Sequence, residues 1–301
     1  MPNSLDENTW DILLDRIFRH QKCTPFLGAG ACCGLLPLAK DVARKWAIAY
    51  KYPFPDSSDL AKLAQYVALN YDQMVPKEEM LKILAQEAVP PDFNNSLQPH
   101  RALAELPLPI YITTNYDNLM VKALIHRHRD AKRELCRWNK LLENHASIFD
   151  KPRFRPTVAN PVVFHLHGHD EVPESLVLTE DDYMDFLVNL SSRPALIPPV
   201  IKAALEESTL LFIGYKIVDW SFRVLMRGLS RFMEPSIRRI SVAVMLPPSP
   251  EEVMPSGVAE SSRQKAQEYL DKYYDNLGIR VYWGTVTDFV TELKGRMREW
   301  G

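Results

Sequence analysis

Three glycines and two adjacent cysteines stand in "FLGAGACCG", Phe26 to Gly34, where an apolar run ends. Gly28, Gly30 and Gly34 precede a helical pattern, an order that lets backbone amides approach a pyrophosphate at the positive end of a helix. The third glycine lies one residue too far for GxGxxG, so a nucleotide loop and a tight structural turn both stay open. In "TTNYDN", Thr114, Asn115 and Asp117 offer a hydroxyl, an amide and a carboxylate to a crevice, and helix capping by Asn115 or Asp117 is the competing reading. In "FHLHGHD", strand alternation puts His165, His167 and His169 on one side, with Phe164 and Leu166 opposite. Three histidines invite a metal, but Gly168 is expected to end the strand before His169, and no metal is expected here. The cysteines Cys23, Cys32, Cys33 and Cys136 form no CxxC pair, so reduced thiols packed as small hydrophobes are expected. A vicinal Cys32–Cys33 disulfide is the lesser alternative.

The elements that must carry these residues alternate. A helix from Trp10 precedes "CTPFLGAG", a short buried strand running into a turn, and further strands are read at Ile110 to Thr114, Val162 to Gly168, Thr209 to Tyr215, Arg239 to Leu246 and Gly278 to Gly284. Helices intervene at "EDDYMDFLVNL", "PALIPPVIKAALEES", "DWSFRVLMRGLSRF", "SSRQKAQEYLDKYYDNL" and "TDFVTELKGRMREW". This alternation predicts an α/β fold: a doubly wound, largely parallel, Rossmann-like sheet whose ligands bind at the carboxyl ends of the strands. Residues 1–301 read as a single domain, with 50–106 as a helical insertion punctuated by prolines. The stretch containing Arg127, Arg129, Lys132, Arg133, Arg137 and Lys140 is expected to be a solvated helix face, with an acidic partner or nucleic acid as the alternative. Residues 247–257, rich in proline and acid, read as an exposed loop.

With 301 residues and 46% hydrophobic content, the chain can bury a substantial core. Thirty-six basic against thirty-eight acidic residues, a net charge of -2, create no global attraction for nucleic acid or an anionic membrane. The polar start "MPNSLDENTW" lacks the regions of a signal peptide, and no apolar run approaches the roughly 18 residues of a membrane span. A cytoplasmic protein is expected.

In this order, Gly28-Ala29-Gly30, "TTNYD" from Thr113 to Asp117, and His167-Gly168 resemble the three NAD-site motifs of the sirtuin family. "LVLTEDDYMDFL", "LLFIGYKIVDWSFRVLM" and "DFVTEL" look like the sirtuin-like domains of bacterial anti-phage defence proteins, including the Thoeris type, and the resemblance spans nearly the whole chain. It implies an NAD+ glycohydrolase that releases nicotinamide and ADP-ribose and depletes NAD in antiviral defence. Asn115 would position water or the ribose hydroxyls, and His167, a residue that titrates near neutral pH, would be the general base. Asp117 would hold the nicotinamide ribose or orient Asn115. Gly28, Ala29 and Gly30 would approach the pyrophosphate, Cys32 and Thr114 would line the pocket, and Gly214 and Tyr215 would serve the adenosine side. By this reading His165 is structural or supports the site indirectly, His169 is loop surface, and Asp181 and Tyr183 cap and anchor a helix.

The chain departs from the family's pattern in three places. Protein-deacylating sirtuins carry a four-cysteine zinc module after the catalytic histidine, whereas this sequence has no cysteine beyond Cys136. Cys32 stands where many relatives have serine, and Lys216 where a small hydroxyl residue is common. NAD+ is therefore expected as substrate, with no further cofactor and no zinc. An NAD or ADP-ribose sensor without turnover is the first rival, a protein deacylase the second, and a dehydrogenase a more distant one. Control is expected through a homo-oligomer or a separate sensor, such as an ATPase or a nucleic-acid-recognising protein, with no membrane partner.

Overall fold

A computed structural model describes residues 5–215, 239–248 and 260–300. The helix expected at 219–232, most of the loop expected at 247–257, and Lys216 lie outside the described residues.

Among the described residues, seven strands form one parallel sheet in the order β3-β4-β2-β1-β5-β6-β7. They are β1 (Cys23–Leu27), β2 (Ile110–Thr113), β3 (Lys132–Leu135), β4 (Val162–His165), β5 (Thr209–Ile213), β6 (Ser241–Met245) and β7 (Ile279–Trp283). β1 pairs with β2 on one side and β5 on the other, so the chain reverses its winding direction at β1. That reversal opens a crevice at the carboxyl ends of β1, β2 and β5. β1, β2, β4, β5 and β6 are buried along their whole length, which is why they read as apolar runs and not as alternating patterns.

The helices are α1 (Glu7–Phe18), α2 (Ala39–Ala49), α3 (Leu60–Asn70), α4 (Val75–Glu87), α5 (Pro99–Leu103), α6 (Leu119–His126), α7 (Glu180–Ser192), α8 (Pro199–Glu207), α9 (Glu260–Asp275) and α10 (Val286–Trp300). One sheet face packs Phe26, Ile112, Phe164 and Phe212 against Phe186 of α7 and Ile201 of α8. The opposite face packs Leu27, Tyr111, Val163 and Ile213 against Trp10 of α1, Leu124 of α6 and Phe289 of α10. Each such large side chain contributes roughly 1.5–3 kcal/mol by leaving water. Val42 and Trp46 of α2, Leu63 and Val67 of α3 and Met80 of α4 form a third core, which Leu178 joins to the sheet layers.

Two expectations about this frame need correction. The strand after Val162 ends at His165 instead of running to Gly168, and the basic stretch contains the edge strand β3 instead of a helix. An edge strand tolerates charged residues because one side of it lacks a partner strand, and the run Lys-Arg-Glu-Leu carries no apolar alternation to mark it. Arg129 is likewise not a solvated residue. Its guanidinium donates to the carbonyls of Val158 (2.6 Å) and Leu106 (2.9 Å) and to the Tyr111 hydroxyl (3.0 Å), closing the ends of buried segments.

Candidate active site

The glycine loop after β1 continues into a single 3-10 turn, Ala29–Cys32, and α2 begins only at Ala39. Gly30 donates its N–H to Gly214 O at 2.9 Å, and a Cβ at Gly30 would lie 2.9 Å from the Gly214 Cα. Gly214 itself has φ +81, and a Cβ there would lie 2.2 Å from Ala31 N. Glycine is therefore required at both positions by the approach of two protein backbones. Gly28 also gives its N–H inward, to Ile213 O at 2.8 Å. The expected amide cradle is accordingly different in kind: the N–H groups of Gly28 and Gly30 serve the fold, while Ala29 and Gly30 lie exposed at the crevice.

β2 ends at Thr113, where the ladder stops and side chains must satisfy the next peptide groups. Thr113 Oγ1 accepts the Asn115 N–H at 2.9 Å. Asn115 Nδ2 donates to Gly28 O at 3.0 Å and towards Cys32 Sγ at 3.2 Å, so its side chain bridges the ends of β1 and β2. No hydrogen bond reaches Asn115 Oδ1 from the described residues, and it is the open acceptor of this group. Asp117 Oδ1 caps α6 by accepting the Leu119 N–H at 2.8 Å, while its Oδ2 accepts the Cys32 thiol at 3.2 Å. Asp117 thus serves the start of α6 and the Cys32 group at once. Burial, then the Asp117 charge, push the Cys32 thiol well above its ordinary pKa, so it is a neutral donor. Cys23 and Cys136 are buried free thiols, and Cys33 is an exposed one.

Tyr215 lies on the other flank. Its hydroxyl donates to Leu27 O at 2.9 Å and shares a 2.9 Å hydrogen bond with Thr114 Oγ1, tying β1, β2 and β5 together.

His100 enters from α5, inside the segment read as a helical insertion, and no sequence pattern marks it. Cys32, His100 and Asp117 place possible metal-ligand atoms within 4.8 Å of one another, the one such group among the described residues. Gln98 decides how His100 can act. Its Oε1 accepts the Arg101 N–H at 2.7 Å, so its NH2 faces His100 Nδ1 at 3.0 Å. Nδ1 is then an acceptor, the neutral ring carries its proton on Nε2, and that N–H points at Cys32 Sγ, 3.8 Å away. The ring donates to the thiol and offers no lone pair to an ion.

The three histidines after Val162 do not share a side. His165 and His169 bring their rings to 5.3 Å, whereas His167 packs at 5.0 Å on Phe186 and 5.5 Å on Tyr183, on the α7 side of the sheet. The chain turns after His165, and Gly168, at φ +81, leaves no room for a Cβ against Ser175 O. His169 is buried, contrary to the expected loop surface, and its N–H donates to Ser175 Oγ at 3.0 Å. His167 is buried too, and desolvation pushes it down to about 3, far from the neutral titration expected of it. Thr179 and Asp182 form the capping box of α7. Asp181 does not cap α7 but anchors it, pairing with Gln65 of α3 through its carboxylate at 2.7 Å and its N–H at 3.0 Å, and Tyr183 faces His167.

The structure therefore joins Gly28, Cys32, Asn115 and Asp117 in one hydrogen-bonded group, and Thr114 with Tyr215 beside Gly214 in another. His167 stands at the neighbouring strand end and makes no hydrogen bond or ring contact with Asn115 or Asp117.

Comparison with known proteins agrees with this geometry. Residues 109–281, more than half of the chain, match the family model described as SIR2-like domain. A protein of Acinetobacter baumannii (strain 532279) named NAD(+) hydrolase ThsA is 30% identical over 224 residues, 71% of this chain and 41% of that protein. Proteins of the same name from Bacillus cereus (strain MSX-D12) and Cytobacillus dafuensis are 31% and 29% identical over 40% and 64% of this chain, and 22% and 35% of their own lengths. The chain thus spans about two fifths or less of these relatives. On its seven-stranded parallel sheet and its family match, the chain belongs to the SIR2-like domain family.

Proposed function

We propose that the protein hydrolyses NAD+ to nicotinamide and ADP-ribose. The observation that carries this reading is Asn115, anchored through Nδ2 to Gly28 O and Cys32 Sγ with Oδ1 left open where β1 and β2 end. The ThsA relatives are named for NAD(+) hydrolysis, which supports the substrate. In the reaction the C1′–N bond breaks with its electron pair passing to the nicotinamide ring, which cancels the ring's positive charge. Asn115 Oδ1 orients a water, whose oxygen bonds to C1′, and the surplus proton passes to His167 and then to solvent. A histidine held at about 3 is a weak base. An oxocarbenium-like path asks little more, because water that has already bonded to C1′ is strongly acidic. Asp117 orients the site through Cys32, and Tyr215 and Gly214 border the adenosine side.

A second reading, a sensor that binds NAD+ or ADP-ribose without turnover, draws on that same weak base. No cofactor and no zinc take part in the proposed reaction. NAD+ depletion in anti-phage defence, a cytoplasmic location, and control by a homo-oligomer or a separate sensor protein complete the proposal. Among the described residues no helix is long and apolar enough to cross a membrane.

Chromatography of NAD+ incubated with the protein tests the reaction. Nicotinamide and ADP-ribose are expected in equal amounts. Asn115→Ala is expected to stop their release while calorimetry still detects NAD+ binding, since positioning lowers the barrier more than it raises affinity. Wild-type turnover in that variant removes Asn115 from the mechanism.

A further inference from the structure

We propose that Arg133 and His165 are positioning residues for turnover, holding the Asn115 peptide from the edge of the sheet, an inference that rests on the role given to Asn115 above. The β2 ladder stops at Thr113, so the carbonyls of Asn115 and Tyr116 have no neighbouring strand to bond. His165 Nδ1 lies 3.0 Å from Asn115 O. Arg133, on β3, donates its Nε–H to His165 Nε2 at 3.2 Å and its Nη2 to Tyr116 O at 2.9 Å. A guanidinium has no acceptor, so His165 Nε2 carries the lone pair, Nδ1 carries the proton, and Nδ1–H donates to Asn115 O. The tautomer is thereby set by Arg133. Asp170 holds Arg133 in turn, with Oδ1 2.6 Å from Nη1, and gives its own N–H to Tyr116 O at 2.9 Å.

His165 is fully buried and Arg133 nearly so, which makes this strut rigid and its hydrogen bonds costly to lose. What it fixes is a backbone carrying a side chain that must reach Gly28 O and Cys32 Sγ together. A misplacement of about 1 Å at such a group can cost on the order of 10²-fold in rate. Neither residue has a hydrogen bond to the crevice-lining glycines or to Tyr215, so their effect on substrate affinity is small.

The test uses the full chain with NAD+ in excess over a range of concentrations, and long incubations so that slow release of nicotinamide is still measured, at temperatures where each variant is folded. His165→Leu and Arg133→Met are expected to lower kcat by about 10-fold or more with KM within about two-fold, the signature of a lost transition-state arrangement. His165→Asn places an amide N–H where Nδ1–H was, and is expected to recover most of the kcat lost in His165→Leu. Should His165→Leu fail to fold, Arg133→Lys carries the same comparison, because it keeps the charge beside Asp170 but cannot fork to both His165 and Tyr116. Its expected result is a fall in kcat at constant KM. Wild-type kcat in His165→Leu or Arg133→Lys, or no recovery in His165→Asn, overturns the proposal. Asn115→Ala separates the two levels: if it is inactive while the strut variants are fully active, the strut alone is refuted. If it is itself fully active, the reading of Asn115 has failed.

Discussion

A neutral thiol at position 32 donates to Asp117 and accepts from Asn115 Nδ2 and His100 Nε2, so a hydroxyl can take its place bond for bond. Cys32→Ser is expected to retain turnover within about threefold, whereas Cys32→Val leaves Asp117 Oδ2 without its donor and Asn115 Nδ2 with Gly28 O alone, and is expected to lose at least about 10-fold. Nicotinamide release by the two variants checks this. If serine abolishes activity in a folded protein, the thiol has a chemical part that its raised pKa argues against. His167→Ala is expected to cost roughly 10²-fold or more as the loss of a proton acceptor. The pH profile is more informative. Burial holds His167 at about 3, so the ring is already neutral and able to accept a proton throughout the range above that value. The expected kcat/KM therefore stays level as pH falls from 7.5 to 5, where an ordinary histidine, titrating at roughly 6.5, would give a declining acid limb. A decline centred near neutrality assigns the base to another group.

α7 carries both rings that enclose His167, and its position depends on α4. Lys77 of α4 meets Asp182 of α7 at 2.9 Å, with both side chains almost wholly buried, and the ammonium lies 5.6 Å from the Trp138 ring centroid. The other Asp182 oxygen accepts the N–H groups of Leu178 and Thr179 at 3.1 and 3.0 Å, completing the cap of α7. One carboxylate thus fixes both the start of the helix and its attachment to the α2–α4 layer. Lys77→Met leaves that carboxylate buried with its charge uncompensated, and is expected to destabilise the protein by about 3–5 kcal/mol, read as a lower urea midpoint. An unchanged midpoint means that water reaches Asp182. A Cβ added at Gly30, at the junction of β1 and β5, is expected to lower stability by about 1–3 kcal/mol before any ligand is present. Loss of NAD+ binding in Gly30→Val therefore reports on the fold, and a pyrophosphate contact has to be tested elsewhere.

Four buried histidines, His100, His165, His167 and His169, are held below their ordinary pKa, chiefly by desolvation. In the unfolded chain each takes up a proton as pH falls through roughly 6.5, while in the folded protein each does so only at lower pH. Protons then favour unfolding. The contribution is fully present above about pH 6.5 and is lost as pH falls, down to about 3 for His167 and His169, at up to about 1.4 kcal/mol per pH unit for each histidine. Stability measured by urea unfolding is expected to drop steeply between pH 6.5 and 4.5. A level curve across that window indicates that these rings are protonated in the folded state.

The α/β class, the strand-to-turn junctions at Gly28, Thr114 and Gly214, and the membership of Asn115 and Asp117 in one crevice were legible in the sequence. Each depends on local signals: an apolar run of four or five residues, a glycine or a cap after it, and a helix beyond. β3 was hidden because an edge strand with two basic residues in four lacks that signature, and with it went Arg129 and Arg133. Residues that meet across long separations left no trace either: Cys32 and His100 are 68 positions apart, Arg133 and His165 are 32. Tertiary structure alone decided which N–H groups of the glycine loop are spent on β5, that His169 is buried, and that His167 faces Tyr183 and Phe186 away from His165. It also decided the protonation of the four buried histidines, because desolvation and a neighbouring guanidinium are properties of the packed environment and not of the residue type.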